Sequence, residues 1–260
     1  VDGGGIRGVS ELFILDEIMR CIQIHQNLPQ TPKPCEYFDL IGGTSTRGLI
    51  AIMLGRLKMS TEDALQSYNR ISSAVFSTEN RKPFYSDGKF KATTLEKEVK
   101  NVVCWAGYSD DQKLLDPNTG RNLKGNIFNS FICSMTGINL RSPQRFRTYQ
   151  GLPNQGPDCR IREAVRATTA APTFFKAIKI VGPGGFRPDY VDAGLGFNNP
   201  TKEVRDKPRS YSAVTNVSVC SSALGQATYL RGPEASMQID RVVACLCRVG
   251  VGQGKTLVSL

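Results

Sequence analysis

The stretch that most constrains this chain is Gly42-Gly43-Thr44-Ser45-Thr46-Arg47-Gly48. An apolar run before it, Tyr37-Phe38-Asp39-Leu40-Ile41, reads as a buried strand. The run after it, Leu49-Ile50-Ala51-Ile52-Met53-Leu54, reads as a buried helix. A serine on a tight strand-to-helix turn has its hydroxyl thrust into the open at the positive end of a helix. A nucleophile needs that access, and it needs donors nearby for the charge that forms on attack. Small residues two before and two after the serine let strand and helix pass closely. Gly43 meets that need and Arg47 does not, which makes Arg47 the main irregularity of the chain. A lone serine turn also arises by chance, so a phosphate-type or purely structural turn stands as the alternative.

A serine nucleophile is usually served by a histidine. The chain has one, His25, near the polar end of a helix expected over about Val9 to Gln26, whose apolar face carries Leu12, Leu15, Met19 and Ile22. A lone surface histidine is more often incidental. A carboxylate can instead take the proton directly. Asp192 is the candidate: it ends a short strand through Tyr190-Val191 and is followed by Ala193-Gly194. Taken alone, it reads equally well as an ordinary turn aspartate.

The chain opens Asp2-Gly3-Gly4-Gly5-Ile6-Arg7-Gly8. Gly3-x-Gly5-x-x-Gly8 matches the dinucleotide fingerprint, a weak signal without a preceding strand and a later acidic residue. A dinucleotide-binding oxidoreductase therefore rests on these glycines only. Consecutive backbone N–H groups at a helix start also form an anion nest, suited to the oxyanion of acyl transfer. A plain glycine turn remains the simplest reading. Near the end, Gly252-Gln253-Gly254-Lys255-Thr256 imitates the tail of a P-loop, but Val249 stands where the pattern needs glycine, and it is rejected.

The remaining segments suit an α/β protein. Ser60-Thr61-Glu62-Asp63 and Thr93-Thr94-Leu95-Glu96 read as capping boxes that open helices. Ile127 to Met135 reads as a strand, Asp158 to Thr169 as a helix ended by Pro172, and Phe174 to Val181 as a strand before a turn at Gly182-Pro183-Gly184-Gly185. Asp116 to Gly120 reads as a tight turn, residues 205–240 as an irregular insertion, and Val242 to Val249 as a last strand. Alternating strands and helices predict an α/β/α sandwich with a mainly parallel sheet, one domain over residues 1–260. Val1-Asp2 reads as the end of a strand whose beginning is missing, so a longer chain with neighbouring domains is expected.

The net charge of +10 reads either as a soluble basic surface or as attraction to an anionic one. No aromatic-basic interleaving or nucleic-acid motif appears, so membrane lipid ranks above nucleic acid. The eight Cys form no C-x-x-C pair, and Cys245-x-Cys247 is poor zinc spacing. Scattered Cys in apolar runs suit buried thiols of a reducing compartment, so no metal, no disulfide and a cytoplasmic location are expected.

Each motif is weak, but their order is specific. DGGGIRG, then GTSTRG, then RATTAAPTFF at 166–175, then DAG at 192–194 followed by Leu195-Gly196-Phe197-Asn198-Asn199-Pro200, resembles the patatin-like phospholipase family from Val1 to about Val204. The resemblance implies a three-layer α/β/α fold and cleavage of fatty-acyl esters of phospholipids or related lipids through an acyl-enzyme. It implies no cofactor, Ser45 as nucleophile, Asp192 as base and the Gly3, Gly4 and Gly5 amides as oxyanion hole. The family normally has glycine where this chain has Arg47. A cation at a helix N-terminus is unfavourable by about 0.3–1 kcal/mol, and its bulk either escapes along the groove or displaces the turn. A second reading follows: a lipid-binding or interaction module on the same fold, disabled at Arg47.

Overall fold

Strand β1, Leu40–Thr44, is buried at every residue and pairs on both edges, which is why it shows no alternation of apolar and polar residues. The computed structural model describes residues 4–38, 40–83, 86–116, 129–137, 139–150, 156–195 and 257–259. Along the chain these form α1 (Gly4–His25), α2 (Pro34–Tyr37), β1, α3 (Thr46–Ala51), α4 (Thr61–Val75) and α5 (Ala92–Trp105). There follow β2 (Asn129–Thr136), β3 (Asn139–Arg147), α6 (Ile161–Thr168), β4 (Ile178–Lys179), β5 (Asp189–Asp192) and β6 (Leu257–Ser259). The fold is α/β, its open sheet consistent with a three-layer α/β/α arrangement.

The sheet is mixed: parallel on both sides of β1, antiparallel outward from β2. β3 takes one edge of β2. The other edge is shared end to end. β1 runs along it as far as Thr44 opposite Cys133, and β5 continues from Asp192 opposite Ser134 to Tyr190 opposite Thr136. Side chains alternate across the sheet. Ile41, Ile132, Phe146 and Tyr190 join the helices in the main core, while Leu40, Phe131, Cys133 and Met135 line the opposite face with Ala193.

Local chemistry explains where sequence and structure part. Pro34 opens the one-turn helix α2, so the strand begins at Leu40 rather than Tyr37 and runs through both glycines. Gly42 is needed there, because a Cβ would lie 2.4 Å from the Phe131 ring. α1 starts at Gly4, earlier than the apolar pattern predicts, since its first turn is glycine. Ser60 caps α4, its hydroxyl accepting the Asp63 N–H at 3.1 Å. The second expected box does not form: α5 starts at Ala92, and Thr94 bonds to Asn80 instead. After Ala51 the chain widens into a π-helical turn, Ile52–Arg56, and buried Arg56 donates to the Leu114 and Lys113 carbonyls at 3.0 and 3.1 Å. Only Ile178–Lys179 of the expected Phe174–Val181 strand pairs. β3 carries Pro143, which is tolerated on a strand paired only to β2 among the described residues. Residues 117–120 of the expected turn, the 205–240 segment and the Val242–Val249 strand lie outside the described residues.

Candidate active site

Ser45 sits between β1 and α3 with φ 61° and ψ −132°, a backbone conformation that costs a non-glycine residue about 1–3 kcal/mol. Such strain persists only where neighbours over-determine it. Gly43 is one reason the turn closes: a Cβ there would lie 2.3 Å from the Arg47 carbonyl oxygen, a clash of backbone against side chain that no rotamer relieves. Gly48 is another, packed so that a Cβ would lie 2.8 Å from Thr168 Oγ1. The strained conformation turns the hydroxyl away from the strand axis and toward β5.

There it donates to Asp192. Ser45 Oγ lies 2.5 Å from Asp192 Oδ2, across 147 positions of sequence. That length is in the range of a hydroxyl bonded to a carboxylate. The meeting follows from the shared edge of β2, since the residue after Thr44 and the last residue of β5 both arrive beside Ser134. The other carboxylate oxygen, Oδ1, accepts the Gly194 N–H at 2.7 Å, in the short 3₁₀ turn Ala193–Leu195. A Cβ on Gly194 would approach Asp192 Oδ1 to 3.2 Å, so a small residue suits that position. Asp192 is 3% exposed, and burial raises its pKa above the ordinary aspartate value, opposed by the bonds from Ser45 and Gly194.

The end of α6 brackets both residues. Thr168 Oγ1 accepts the Ser45 N–H, and the Ala170 carbonyl accepts the Asp192 N–H at 3.0 Å. Thr168 lies in the RATTAAPTFF stretch, where its only local signal is a pair of hydroxyl residues closing an amphipathic helix.

Arg47 neither fills the turn nor displaces it. Its Nε donates to both oxygens of Glu11 on α1, at 2.7 and 3.0 Å. Glu11 is 4% exposed and the Arg47 side chain 22%, so the pair is largely removed from water. Glu11 was not among the residues the sequence singled out. Beside it stands Tyr68 of α4, bonded to Thr46 and Ser72, its hydroxyl pKa raised by burial. Gly8 lets α1 approach this cluster, since a Cβ there would lie 2.7 Å from the Tyr68 hydroxyl and 3.3 Å from Ile50.

Gly4 and Gly5 form the first turn of α1, where backbone N–H groups have no partner within the helix. Gly3 lies outside the described residues. His25 closes α1, about 21 Å along the helix from Glu11 at 1.5 Å per residue. It is therefore remote from the serine turn. Among the described residues, no group of three or more His, Cys, Asp and Glu is placed to hold a metal ion. No described helix is long and apolar enough to cross a membrane.

Sheet, strained turn and carboxylate together define an α/β protein with a serine–aspartate pair at the end of a central parallel strand. The chain belongs to the patatin-like phospholipase family, whose model matches residues 1–205. It is 26% identical over 219 residues to patatin-like protein 3 of Arabidopsis thaliana, covering 77% of this chain and 49% of that protein. It is 30% identical over 211 residues to the cGAMP-activated phospholipase of Vibrio cholerae serotype O1, covering 77% and 54%. A third relative, 23% identical over 248 residues and covering 90% and 61%, is named "Probable inactive patatin-like protein 9" of Arabidopsis thaliana. The chain thus spans about half the length of the first two relatives.

Proposed function

We propose that this chain is a lipid acyl hydrolase that cleaves fatty-acyl esters of phospholipids or related lipids with Ser45 as nucleophile and Asp192 as base. The observation that carries the reading is the 2.5 Å contact from the Ser45 hydroxyl to the Asp192 carboxylate. Asp192 takes the hydroxyl proton as Ser45 Oγ attacks the ester carbonyl. The tetrahedral oxyanion is held by first-turn amides of α1, Gly4 and Gly5 with Gly3 before them. Collapse expels the alcohol, which leaves with the proton from Asp192, and the acyl group stays on Ser45. Water, deprotonated by Asp192, then releases the fatty acid. The sole histidine stands about 21 Å along α1 from Glu11, which favours a dyad over a triad.

The guanidinium bonded to Glu11 supports an active site open to an ester, against the reading of a disabled module. A peripheral encounter with an anionic membrane and the presence of neighbouring domains belong to the same proposal. The test is hydrolysis of a fatty-acyl ester by the purified chain together with labelling by a fluorophosphonate. Turnover and labelling are expected, both lost in Ser45→Ala. No labelling of the unmodified chain, with labelling gained in Arg47→Gly, would establish the disabled module instead.

A further inference from the structure

The hairpin joining β4 to β5 stands at the nucleophile end of the sheet. β5 continues the line of β1 past Ser45, from Asp192 opposite Ser134 to Tyr190 opposite Thr136. β4 pairs with it, Ile178 opposite Tyr190 and Lys179 opposite Asp189. The connecting residues 180–188 therefore project beyond the sheet on the side where Ser45 opens. From Asp192 to Asp189 is about 10 Å of strand at 3.3 Å per residue, and the tip lies further out.

That tip is apolar, basic and standing free. Val181 and Phe186 are 44% and 62% exposed. Gly184 and Gly185 both have φ +80°, and among the described residues no atom comes within 4 Å of where their Cβ would be. The Gly182 N–H donates to the Phe186 carbonyl at 2.7 Å, which closes the turn and holds Phe186 at its outer end. Lys179 and Arg187 are exposed on its two arms, Lys179 Nζ standing 3.9 Å from Asp189, the one acidic residue between 176 and 189. An exposed aromatic with Arg187 next to it and Lys179 on the facing arm, in a chain of net charge +10, complements a surface that is anionic outside and apolar within.

We propose that the tip of the β4–β5 hairpin is a membrane-docking wedge: Val181 and Phe186 enter the acyl layer of an anionic phospholipid surface, and Lys179 and Arg187 engage its headgroups. This rests on reading the Ser45 site as acting on lipids, and it assigns where the membrane is met. Docking there holds the mouth above Ser45 against the bilayer, so an ester chain rises into the site without crossing water. A Phe side chain moved into hydrocarbon and a cation set against an anionic surface are each favourable on separate physical grounds.

The test uses the Ser45→Ala chain, so that binding is read without turnover, and two vesicle types: phosphatidylcholine alone, and equal parts phosphatidylcholine and phosphatidylserine. Val181→Ser with Phe186→Ser is expected to weaken partition to both by roughly tenfold or more, 1.4 kcal/mol at tenfold. Lys179→Gln and Arg187→Gln together are expected to weaken only the phosphatidylserine case. In the active chain, the apolar pair of substitutions lowers turnover of vesicle lipid and leaves turnover of a soluble short-chain ester unchanged. Partition of both variants within twofold of the parent overturns the inference, as it would if the tip covered a protein surface instead. Vesicle binding that depends on the tip, in a chain that hydrolyses no ester, sinks the catalytic reading and leaves the wedge standing.

Discussion

Thr168 Oγ1 accepts the Ser45 backbone N–H at 2.9 Å, and its hydroxyl donates to the Cys133 carbonyl at 2.7 Å. One buried hydroxyl thus ties the strained turn to β2. Thr168→Val keeps the volume and removes both bonds, leaving buried polar groups unsatisfied at a cost of about 1–3 kcal/mol. We expect lower thermal stability and at least a tenfold slower reaction of Ser45 with fluorophosphonate. Thr168→Ser restores both bonds and is expected to recover the labelling rate, which a purely packing role for the threonine methyl would not do.

Asp192 is the second test. Burial raises its pKa, so the folded state binds this proton more readily than the unfolded chain does. Its contribution to stability is therefore greatest below the ordinary value of 3.8 and declines as pH rises through the higher folded-state value. Asp192→Asn is expected to raise the midpoint of thermal unfolding at neutral pH while lowering kcat by about 10²–10⁴. In the unmodified chain, the acid limb of kcat/KM is expected to lie above 3.8. A limb at or below that value removes Asp192 as the base.

The Arg47–Glu11 pair makes a prediction opposite to what the serine motif suggests. Replacing Arg47 by the glycine usual at this position takes a guanidinium from a buried carboxylate, and glycine inside a helix costs about 1 kcal/mol more. Arg47→Gly is expected to destabilise the chain by about 3–5 kcal/mol. Adding Glu11→Gln is expected to recover part of that loss, giving a measurable coupling in a double-mutant cycle. Independent, additive effects would show that the pair does not connect α1 to the serine turn.

Gly43→Ala probes the turn itself. The added methyl meets the Arg47 backbone at 2.3 Å, where only movement of the main chain makes room. Overpacking of this kind costs about 1–3 kcal/mol. Because the shift is delivered to Ser45, kcat on a soluble ester is expected to fall more than stability alone implies. Labelling of Ser45 at an unchanged rate would show that the turn has slack.

How much of this was legible in the residues depends on the range of the interaction concerned. Ser60 announces α4 because a cap is a contact over three positions, and the serine turn is readable because Gly43 answers to the Arg47 backbone only four positions on. The order of the glycine-rich motifs was enough to suggest the family. β3 was not legible: Pro143 argues against a strand, and only its place on the edge of β2 permits one. The first turn of α1 was missed because glycine has no side chain to show a period.

By itself, then, the sequence determined the α/β class, the turn that exposes Ser45 and the candidacy of Asp192, since each is written in adjacent residues. Only the tertiary structure decided that Asp192 meets Ser45, that Thr168 holds the turn and that Arg47 is directed to Glu11. Those contacts join residues 147, 123 and 36 positions apart. The physical reason is the shared edge of β2, where β1 and β5 both end, and the packing of α6 and α1 against α3: no local propensity encodes which remote elements a fold brings together.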